Sequence, residues 1–391
     1  MDKKLEKLGI YIHIPFCVKK CAYCDFYSIC DLSQIDAYVK ALIEQIKSYR
    51  SERKHYLVET IYIGGGTPSL LSGAQMCEII RAVYKTFKVS DDAEITMEAN
   101  PGTLDTEKLA GYHNAGINRL SIGLQSADNA ELAMLSRIHT KEDFESSFYL
   151  ARLEGFENIN IDLMYALPGQ TRETLFRTIE YVTSLEPEHI SFYGLTVEPE
   201  TPFGQNPELL QKIPDDETQN ALYLDAIEKL EHCGFLQYEV SNFAKPGFEC
   251  KHNLNFWHGK EYLGFGPAAH SIFKGVHFSY AKEFLNFIAF PTDKDTLYQE
   301  FEKLDDDALE KQYVMLGFRL KGGIDVKEYN KRFGKDFDEI YFERIKPFLD
   351  RNAPEADEPY IIKTKTGYRF SRKGFLLSNE LLRKILDDEE E

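Results

Sequence analysis

The stretch GIYIHIPFCVKKCAYCDF, residues 9–26, decides the fold of this chain. It opens with a short β-rich run at residues 9–14, which predicts a strand. Three cysteines follow that run within eight residues, at Cys17, Cys21 and Cys24, with the spacing C-x3-C-x2-C. The sequence therefore predicts a strand whose end leads directly into a loop that carries three thiols.

Three thiolates in so short a loop can bind three corners of an iron–sulfur cube and leave the fourth iron without a protein ligand. A small molecule can bind that open iron and receive an electron, whereas a closed four-cysteine site only passes electrons on. The alternatives are a zinc knuckle or three unrelated cysteines. Zinc sites usually need four ligands, often two C-x2-C hooks, and Cys30, Cys77, Cys233 and Cys250 form no partner pair. The spacing therefore favours a [4Fe-4S] cluster on the triplet.

Strand-like and helical segments alternate through the first half of the chain. Short β-rich runs lie at residues 9–14, 60–63, 94–98, 119–124, 159–165 and 189–195. Segments with helical spacing lie at residues 33–50, 73–87, 105–115, 128–135, 141–154 and 171–184. This alternation predicts parallel strands joined by right-handed crossovers. Six units indicate an α/β fold with an open or partial (β/α)6 barrel rather than a complete eightfold one.

Polar residues recur at the ends of these predicted strands. They are Cys17, the turn Gly64-Gly-Gly-Thr-Pro68, Glu98-Ala-Asn100, Gln125 and Asp162. The carboxyl ends of parallel strands form the face on which barrel enzymes build their sites. For the glycine turn, the alternative to a ligand contact is a tight turn with no binding role. For Glu98, the alternative is a solvated carboxylate at a strand end. Arg137 lies on a polar helix, where an exposed salt bridge is the alternative to binding a carboxylate.

Length and pattern predict a second, smaller domain. At 391 residues the chain exceeds what one core usually supports. We place the large domain at residues 1–285 and a small α+β, winged-helix-like domain at residues 286–391. The helical runs from there lie at residues 306–319, 325–332, 336–349 and 376–387, with a hairpin at residues 360–370. We interpret this part as a lid or docking module.

Composition restricts partners and location. The net charge of −18, without a dense Lys/Arg cluster, argues against nucleic acid as a main partner. Neither a signal peptide nor 18 consecutive apolar residues occurs, so no membrane span is expected, although peripheral membrane association and a homodimer stay open. Seven cysteines without a disulfide framework predict a cytoplasmic protein. The acidic end, residues 387–391, is interpreted as a solvated tail.

The cysteine spacing, with Tyr23 before the last cysteine, resembles the signature of the radical S-adenosylmethionine superfamily. From residue 10 to about 325, the chain resembles the oxygen-independent coproporphyrinogen III oxidase family. The resemblance rests on the cluster motif, GGGTPS, EANPGT, NRLSIGLQS, NIDLMYALPGQT and YEVSNFAKPG. It implies an S-adenosylmethionine site, in which the glycine turn contacts the amino group of the methionine moiety. The positions implied as cofactor contacts are Tyr11, Tyr23, Gly65, Gly66, Thr67, Glu98, Gln125, Arg137 and Asp162.

Two features are similar to the heme-chaperone (HemW-type) branch of this family. The oxidases typically carry a further cysteine two residues after the third, whereas this chain reads Cys24-Asp25-Phe26. The segment His252-Asn-Leu-Asn-Phe-Trp257 is similar to the HNxxYW motif of that branch, with Phe256 in place of tyrosine. The resemblance implies a chaperone that binds heme and delivers it to an apo-hemoprotein, with an electron donor as a further partner. The alternative is an oxidase that converts propionates of coproporphyrinogen III to vinyl groups.

The histidine-rich segment is the candidate heme site. His252, His258 and His270 lie within nineteen residues of one another, among aromatic residues. A heme site needs an axial nitrogen and apolar faces that cover the porphyrin. The alternative is that the rings pack on a sheet edge and the histidines bond to backbone. We take His252 as the first candidate for the heme ligand.

Overall fold

The computed structural model describes residues 5–349 and 358–387. Its strands are β1 (Glu6–Ile14), β2 (Tyr56–Gly65), β3 (Lys88–Ala99), β4 (Arg119–Gln125), β5 (Ile159–Tyr165), β6 (His189–Gly194), β7 (Leu236–Gln237), β8 (Asn242–Ala244), β9 (Tyr262–Phe265), β10 (His270–Phe273), β11 (Val276–Tyr280), β12 (Tyr298–Lys303), β13 (Ile324–Asp325), β14 (Ile361–Lys363) and β15 (Gly367–Phe370). The acidic residues 388–391 lie outside the described ranges.

The α-helices lie between the strands, and the longer ones cover the predicted helical segments. They are α1 (Ile35–Ser48), α2 (Gly73–Thr86), α3 (Thr106–Asn114), α4 (Asn129–Met134), α5 (Lys141–Leu153), α6 (Arg172–Ser184), α7 (Pro207–Leu210), α8 (Asp216–His232), α9 (Lys251–Trp257), α10 (Phe284–Ala289), α11 (Lys294–Leu297), α12 (Asp306–Phe318), α13 (Val326–Phe333), α14 (Phe337–Ile345), α15 (Arg372–Leu376) and α16 (Ser378–Leu386). Three of the barrel helices begin with capping boxes, at Ser72, Thr140 and Thr171. In each box, reciprocal hydrogen bonds satisfy backbone N–H groups of the first turn and so define where the helix begins.

The large sheet has twelve strands in the order β12-β11-β10-β9-β1-β2-β3-β4-β5-β6-β8-β7. Strands β1 to β6 are neighbours in chain order and all pair in parallel. Strand β9 adds a further parallel strand beside β1, and antiparallel strands extend both edges. The sheet stays open, so the prediction of an α/β partial barrel is confirmed. The additional edge strands are short and were not predicted, because runs of two to six residues carry little periodic signal.

Alternation along the parallel strands separates an apolar face from a polar one. On β1, Ile10, Ile12 and Ile14 are fully buried in the main hydrophobic core, whereas Tyr11 and His13 point the other way. The parallel register carries this alternation across the sheet, from Tyr11 to Tyr62 and onward to the even-numbered side chains of β3. The barrel interior is therefore lined by polar and aromatic side chains, and the helices pack on the other face.

The C-terminal part has its own three-stranded sheet, in the order β13-β15-β14, as predicted for a small α+β unit. The division of the chain after residue 285 stays a prediction; strand β12 still belongs to the large sheet and β13 begins at Ile324. Within the described ranges, the helices are too short or too polar to span a bilayer.

Candidate functional site at the barrel mouth

The cysteine loop, residues 17–29, begins where β1 ends. Phe16 forms an isolated bridge with Ile29, and the Cys17 amide donates to the Ile29 carbonyl at 3.0 Å, so the loop is closed at its base. The Cys24 amide donates to the carbonyl of Cys21 at 3.2 Å, which turns the chain between these two cysteines. Burial raises the pKa of the Cys24 thiol, and the neighbouring thiols add to this shift. The three thiols therefore share one partly exposed site.

A polar chain joins two of these thiols across the barrel mouth. The Thr67 hydroxyl lies 3.6 Å from the Sγ of Cys17 and accepts a hydrogen bond of 2.8 Å from the Asn100 amide. The Asn100 side-chain oxygen accepts from Arg137 at 2.8 Å, and the same guanidinium reaches the Sγ of Cys21 at 3.6 Å. Arg137 also donates to a backbone carbonyl at 2.7 Å. Arg137 lies three residues beyond the end of α4, so the prediction that it lies on a polar helix is wrong, and it is half-buried rather than an exposed salt-bridge residue.

The glycine turn after β2 is packed against the start of the cysteine loop. A Cβ on Gly66 would lie 2.6 Å from the carbonyl oxygen of Phe16, a distance that real Cβ atoms essentially never show. Gly65 has φ +113°, in the region that favours glycine, and its amide donates to Glu98 at 3.1 Å. The turn can therefore bring its backbone next to the thiols only because side chains are absent.

Two carboxylates face the barrel interior without a cation bonded to either of them among the described residues. Glu98 accepts from the Tyr62 hydroxyl at 3.0 Å, and Asp162 accepts from Asn160 at 2.7 Å and from Ser121 at 3.3 Å. Burial raises the pKa of Glu98 to about 7, and the charge of Asp162 adds to the shift. Burial likewise raises the pKa of Asp162. A cationic ligand between them would relieve this cost.

The remaining predicted positions surround this pair. The Tyr11 hydroxyl bonds to His13 at 3.1 Å, and its ring stacks on Tyr62 at 6.3 Å. Burial raises the pKa of Tyr23, and the charge and hydrogen bond of Arg137 partly oppose this shift. Gln125 ends β4 with φ +72°, and its amide nitrogen would lie 3.0 Å from a Cβ on Gly123. All nine positions predicted as cofactor contacts thus border the barrel mouth or its interior.

Sequence reasoning missed Tyr62 as a site residue and named Asn100 only as a strand end. Tyr62 lies between Tyr11 and Glu98 through its ring and its hydroxyl. Asn100 connects Thr67 to Arg137. The signal for Tyr62 was available in the alternation of β2, because it shares the parity of the inward-facing Gly64. The signal for Asn100 was its place directly after β3.

The three histidines of the 252–270 segment do not come together. The Nδ1 of His252 is 2.9 Å from the Thr60 hydroxyl, and its ring packs on Tyr62 at 5.3 Å. His258 follows α9 and is exposed. His270 is exposed on β10, where its ring stacks on His277 at 5.6 Å. Of the three, His252 is the one that borders the barrel interior.

The aromatic residues around His252 have different environments. Trp257 hydrogen-bonds the buried carboxyl of Glu239, whose pKa burial raises to about 7. Phe256 is 38% exposed, and its ring contacts the neighbouring rings of Trp257 and Tyr262 at 5.2 and 5.9 Å. The hydrogen bond from Trp257 therefore anchors the end of α9 to the buried Glu239. Phe256 beside it presents an apolar surface to solvent.

Comparison with known proteins agrees with this architecture. The family model described as "Radical SAM superfamily" matches residues 11–182, and the one described as "HemN C-terminal domain" matches residues 304–377. The solved coproporphyrinogen III oxidase (HemN) from Escherichia coli superposes with a TM-score of 0.83, covering 97% of this chain and 90% of that chain. At 24% identity, that likeness concerns the fold. The structure is thus a partial barrel whose first strand leads into a loop with three cysteines at a polar mouth. This is the architecture of a radical S-adenosylmethionine protein.

Similarity to curated proteins identifies the branch. The "Heme chaperone HemW" of Bacillus subtilis (strain 168) is 35% identical over 387 residues, which cover 97% of this chain and 99% of that protein. The protein of the same name from Haemophilus influenzae is 34% identical over 99% of this chain and 100% of its own. That from Escherichia coli (strain K12) is 42% identical over 68% of this chain and 70% of its own. The chain belongs to the HemW family of heme chaperones within the radical S-adenosylmethionine superfamily.

Membership of this superfamily implies a [4Fe-4S] cluster and S-adenosylmethionine. The residues present fit both groups. Three thiols of one loop supply the soft ligands that an iron–sulfur cluster needs. The turn at Gly66 packs directly against the backbone of Phe16, which places the glycine turn beside the start of the thiol loop. Two interior carboxylates and the Arg137 guanidinium suit a ligand that carries cationic groups and a carboxylate.

Proposed function

We propose that this protein is a heme chaperone that binds a [4Fe-4S] cluster, S-adenosylmethionine and heme and delivers heme to apo-hemoproteins. The observation that carries this proposal is the similarity, over nearly the whole of both chains, to relatives named heme chaperones. The cysteine loop supports it independently. Two residues after Cys24, the loop holds Phe26 instead of the further cysteine that is typical of the oxidases. Phe26 is 71% exposed.

In this proposal, Cys17, Cys21 and Cys24 hold the cluster at the end of β1. When bound, the cluster supplies one-electron chemistry at an iron that no protein side chain occupies. Thr67 and Arg137 direct polar hydrogens toward the sulfurs of Cys17 and Cys21, which disperses negative charge. These contacts hold the thiols in place before any ligand arrives.

The same proposal assigns the S-adenosylmethionine contacts to the barrel mouth. Glu98 and Asp162 bind cationic groups, because their carboxyl groups have raised pKa values and face each other without a bonded cation in the described part of the chain. Arg137 binds the carboxylate with the guanidinium that Asn100 orients. Tyr11 covers the ligand from β1, and the glycine turn at Gly65 and Gly66 presents backbone carbonyls to the amino group, because its amides already donate to Glu98 and to the carbonyl of Ile14.

His252 is the proposed heme ligand. Its Nδ1 is engaged by Thr60, which fixes the ring and directs Nε2 away from that bond. Burial lowers the pKa of His252 to about 4, so the imidazole is neutral at pH 7 and its nitrogen lone pair is available to iron. Tyr62 contacts the His252 ring and also donates to Glu98. A single side chain thus connects the proposed heme ligand to the proposed S-adenosylmethionine contact, and it could couple the two sites.

The second candidate function is oxygen-independent oxidation of coproporphyrinogen III. What supports it is that the side chains implied as contacts by the resemblance, from Tyr11 to Asp162, border one barrel interior. The experiment that separates the two is anaerobic incubation of the reconstituted protein with coproporphyrinogen III, S-adenosylmethionine and a reductant, followed by product analysis. The chaperone proposal expects no protoporphyrinogen IX. Its formation at a catalytic rate would overturn that proposal.

A transfer experiment tests the chaperone directly. The heme-loaded, reconstituted protein is mixed with an apo-hemoprotein, and the absorbance of the reconstituted recipient is followed. We expect transfer faster than from free heme or heme-loaded albumin, and equal rates would contradict the proposal. We further propose a cytoplasmic location and an electron donor as a further partner, and we keep peripheral membrane association and a homodimer as open proposals. Support for the location comes from seven cysteines, all of them free thiols.

A further inference from the structure

Three side chains of types that bind metals lie on one face of the edge strands β10 to β12, which extend the sheet beyond β9. Strand β10 pairs His270 with Ser279 of β11, and β12 places Glu300 opposite the same Ser279. His277 lies two residues before Ser279 and therefore points to the same face. The antiparallel register thus gathers two imidazoles and one carboxylate from three successive strands.

The distances within this group are close to those of a metal site. One ligand atom from each of His270, His277 and Glu300 lies within 4.8 Å of the others. The Nδ1 of His270 is 3.8 Å from a carboxylate oxygen of Glu300. The Ser279 hydroxyl donates to that carboxylate oxygen at 3.2 Å, which orients it from the middle strand. Small rotations of the three side chains suffice to bring the donors around one ion.

The surroundings favour a cation at this position. Glu302 lies opposite His277 in the register and adds a second carboxylate to the same face. The exposed fractions of His270 and Glu300, 52% and 54%, leave room for water to complete a coordination shell.

We propose that His270, His277 and Glu300 form a binding site for a divalent transition metal ion, with Zn2+ as the best-fitting ion. Two imidazoles and one carboxylate form a ligand set that zinc uses with water in the fourth position. Hard ions such as Mg2+ prefer all-oxygen shells and should bind poorly. This site is independent of the cluster and of the proposed heme ligand. The bound ion would join β10, β11 and β12, of which β12 is exposed along most of its length.

The test is titration of zinc into the cluster-reconstituted protein under anaerobic conditions, in competition with a chromophoric zinc chelator. Reconstitution keeps the loop thiols occupied, and a variant in which Cys17, Cys21 and Cys24 are all serine serves as a second background. We expect one zinc ion per chain in both. His277→Ala and Glu300→Gln should each weaken binding by about tenfold or more, since even loss of an outer-shell partner costs that much. Mg2+ should not compete.

His232→Ala is the matched control, because His232 is an exposed histidine on α8 outside the group. It should bind zinc as the wild type does. The second readout is the thermal midpoint, which zinc should raise in the wild type and in His232→Ala but not in His277→Ala. Absence of saturable zinc binding in the wild type, or unchanged affinity in His277→Ala and Glu300→Gln, would overturn the proposal. Equal competition by Mg2+ would overturn the assignment of the metal class.

Discussion

Arg137 approaches the sulfur of Cys21 to 3.6 Å with one guanidinium nitrogen, while its other terminal nitrogen donates to the Asn100 side chain at 2.8 Å. These two residues are far apart in sequence, and the contact exists because β4 and the chain that follows it return to the cysteine loop. A cation that touches a cluster-binding thiolate stabilises negative charge there. The thiol site and the strand-end site are therefore one electrostatic unit.

Loss of the Arg137 cation should lower the reduction potential of the cluster. Reduction adds negative charge, and Arg137→Ala removes both a positive charge and a hydrogen bond to the sulfur of Cys21. We expect the midpoint potential to fall on the order of 50 mV, equivalent to roughly 1 kcal/mol for one electron. Redox titration followed by electron paramagnetic resonance measures this. Arg81→Ala serves as the control, and an unchanged potential in Arg137→Ala would mean that the contact has no electrostatic role.

Cluster binding should require all three thiols of the loop. Replacement of Cys17, Cys21 or Cys24 by alanine leaves two protein ligands, too few to hold a cube. The exposed Cys30 lies just outside the closed loop, so Cys30→Ala is the matched control and should load fully. Anaerobic iron and sulfide analysis after reconstitution provides the measurement. A fully loaded Cys21→Ala variant would contradict the assignment.

Affinity for S-adenosylmethionine should depend on pH through Glu98. Burial raises the pKa of this carboxyl to about 7, so it is neutral below that pH and anionic above it. A cationic ligand pairs with the anion, hence affinity should increase as pH rises through about 7 and then level off. Glu98→Gln should abolish this dependence and cost about 1–3 kcal/mol of binding at pH 8. Calorimetry on the reconstituted protein measures both effects.

The matched control for this experiment is Glu107→Gln, at an exposed position in the first turn of α3. It should retain the pH dependence of the wild type. The ligand-free protein offers a second check, because a carboxyl whose pKa is raised on folding loses stability as pH rises from about 4.5 to about 7. Ligand-free Glu98→Gln should therefore gain stability relative to wild type at pH 8. A loss of stability there would contradict the raised pKa.

Gly66 should tolerate no side chain. A Cβ at this position would lie 2.6 Å from the carbonyl oxygen of Phe16, which is backbone and cannot rotate away. Gly66→Ala should destabilise the protein by about 1–3 kcal/mol through overpacking and should impair cluster loading. Urea unfolding monitored by circular dichroism measures the first effect. Gly322→Ala is the matched control, since a Cβ there meets nothing within 4 Å, and equal stability of the two variants would refute the packing argument.

Heme binding should give a distinct Soret band that depends on His252. Removal of its imidazole from ferric heme should shift the band toward a five-coordinate or water-ligated form and loosen binding. His258→Ala and His270→Ala are the comparison variants, because both residues are exposed and lie outside the barrel interior. Titration of heme into the wild type and the three variants is sufficient. Identical spectra across all four would place the ligand elsewhere, and no saturable binding would favour the oxidase.

Much of the fold was predictable from the sequence because its signals are local. Strand and helix periodicities occur within single segments, so β1 to β6 and the helices between them were located, although β2 begins four residues and β3 six residues before the predicted runs. The cysteine spacing lies in one loop, and strand ends mark the barrel mouth wherever they occur along the chain. Positions such as Cys17, Glu98 and Asp162 could therefore be grouped before any contact was known.

Tertiary structure alone decided which side chains touch. The register between β1, β2 and β3 places Tyr62 between Tyr11 and Glu98, and no local pattern encodes a register. The histidines are close in sequence, yet His258 lies about 120° around α9 from His252, since each helical residue turns by about 100°. His270 lies on another element altogether, beside His277. Sequence by itself determined the six parallel strands, the helices between them and the chemistry at the strand ends. Pairing between distant strands decided the sites, because those contacts depend on the path of the whole chain.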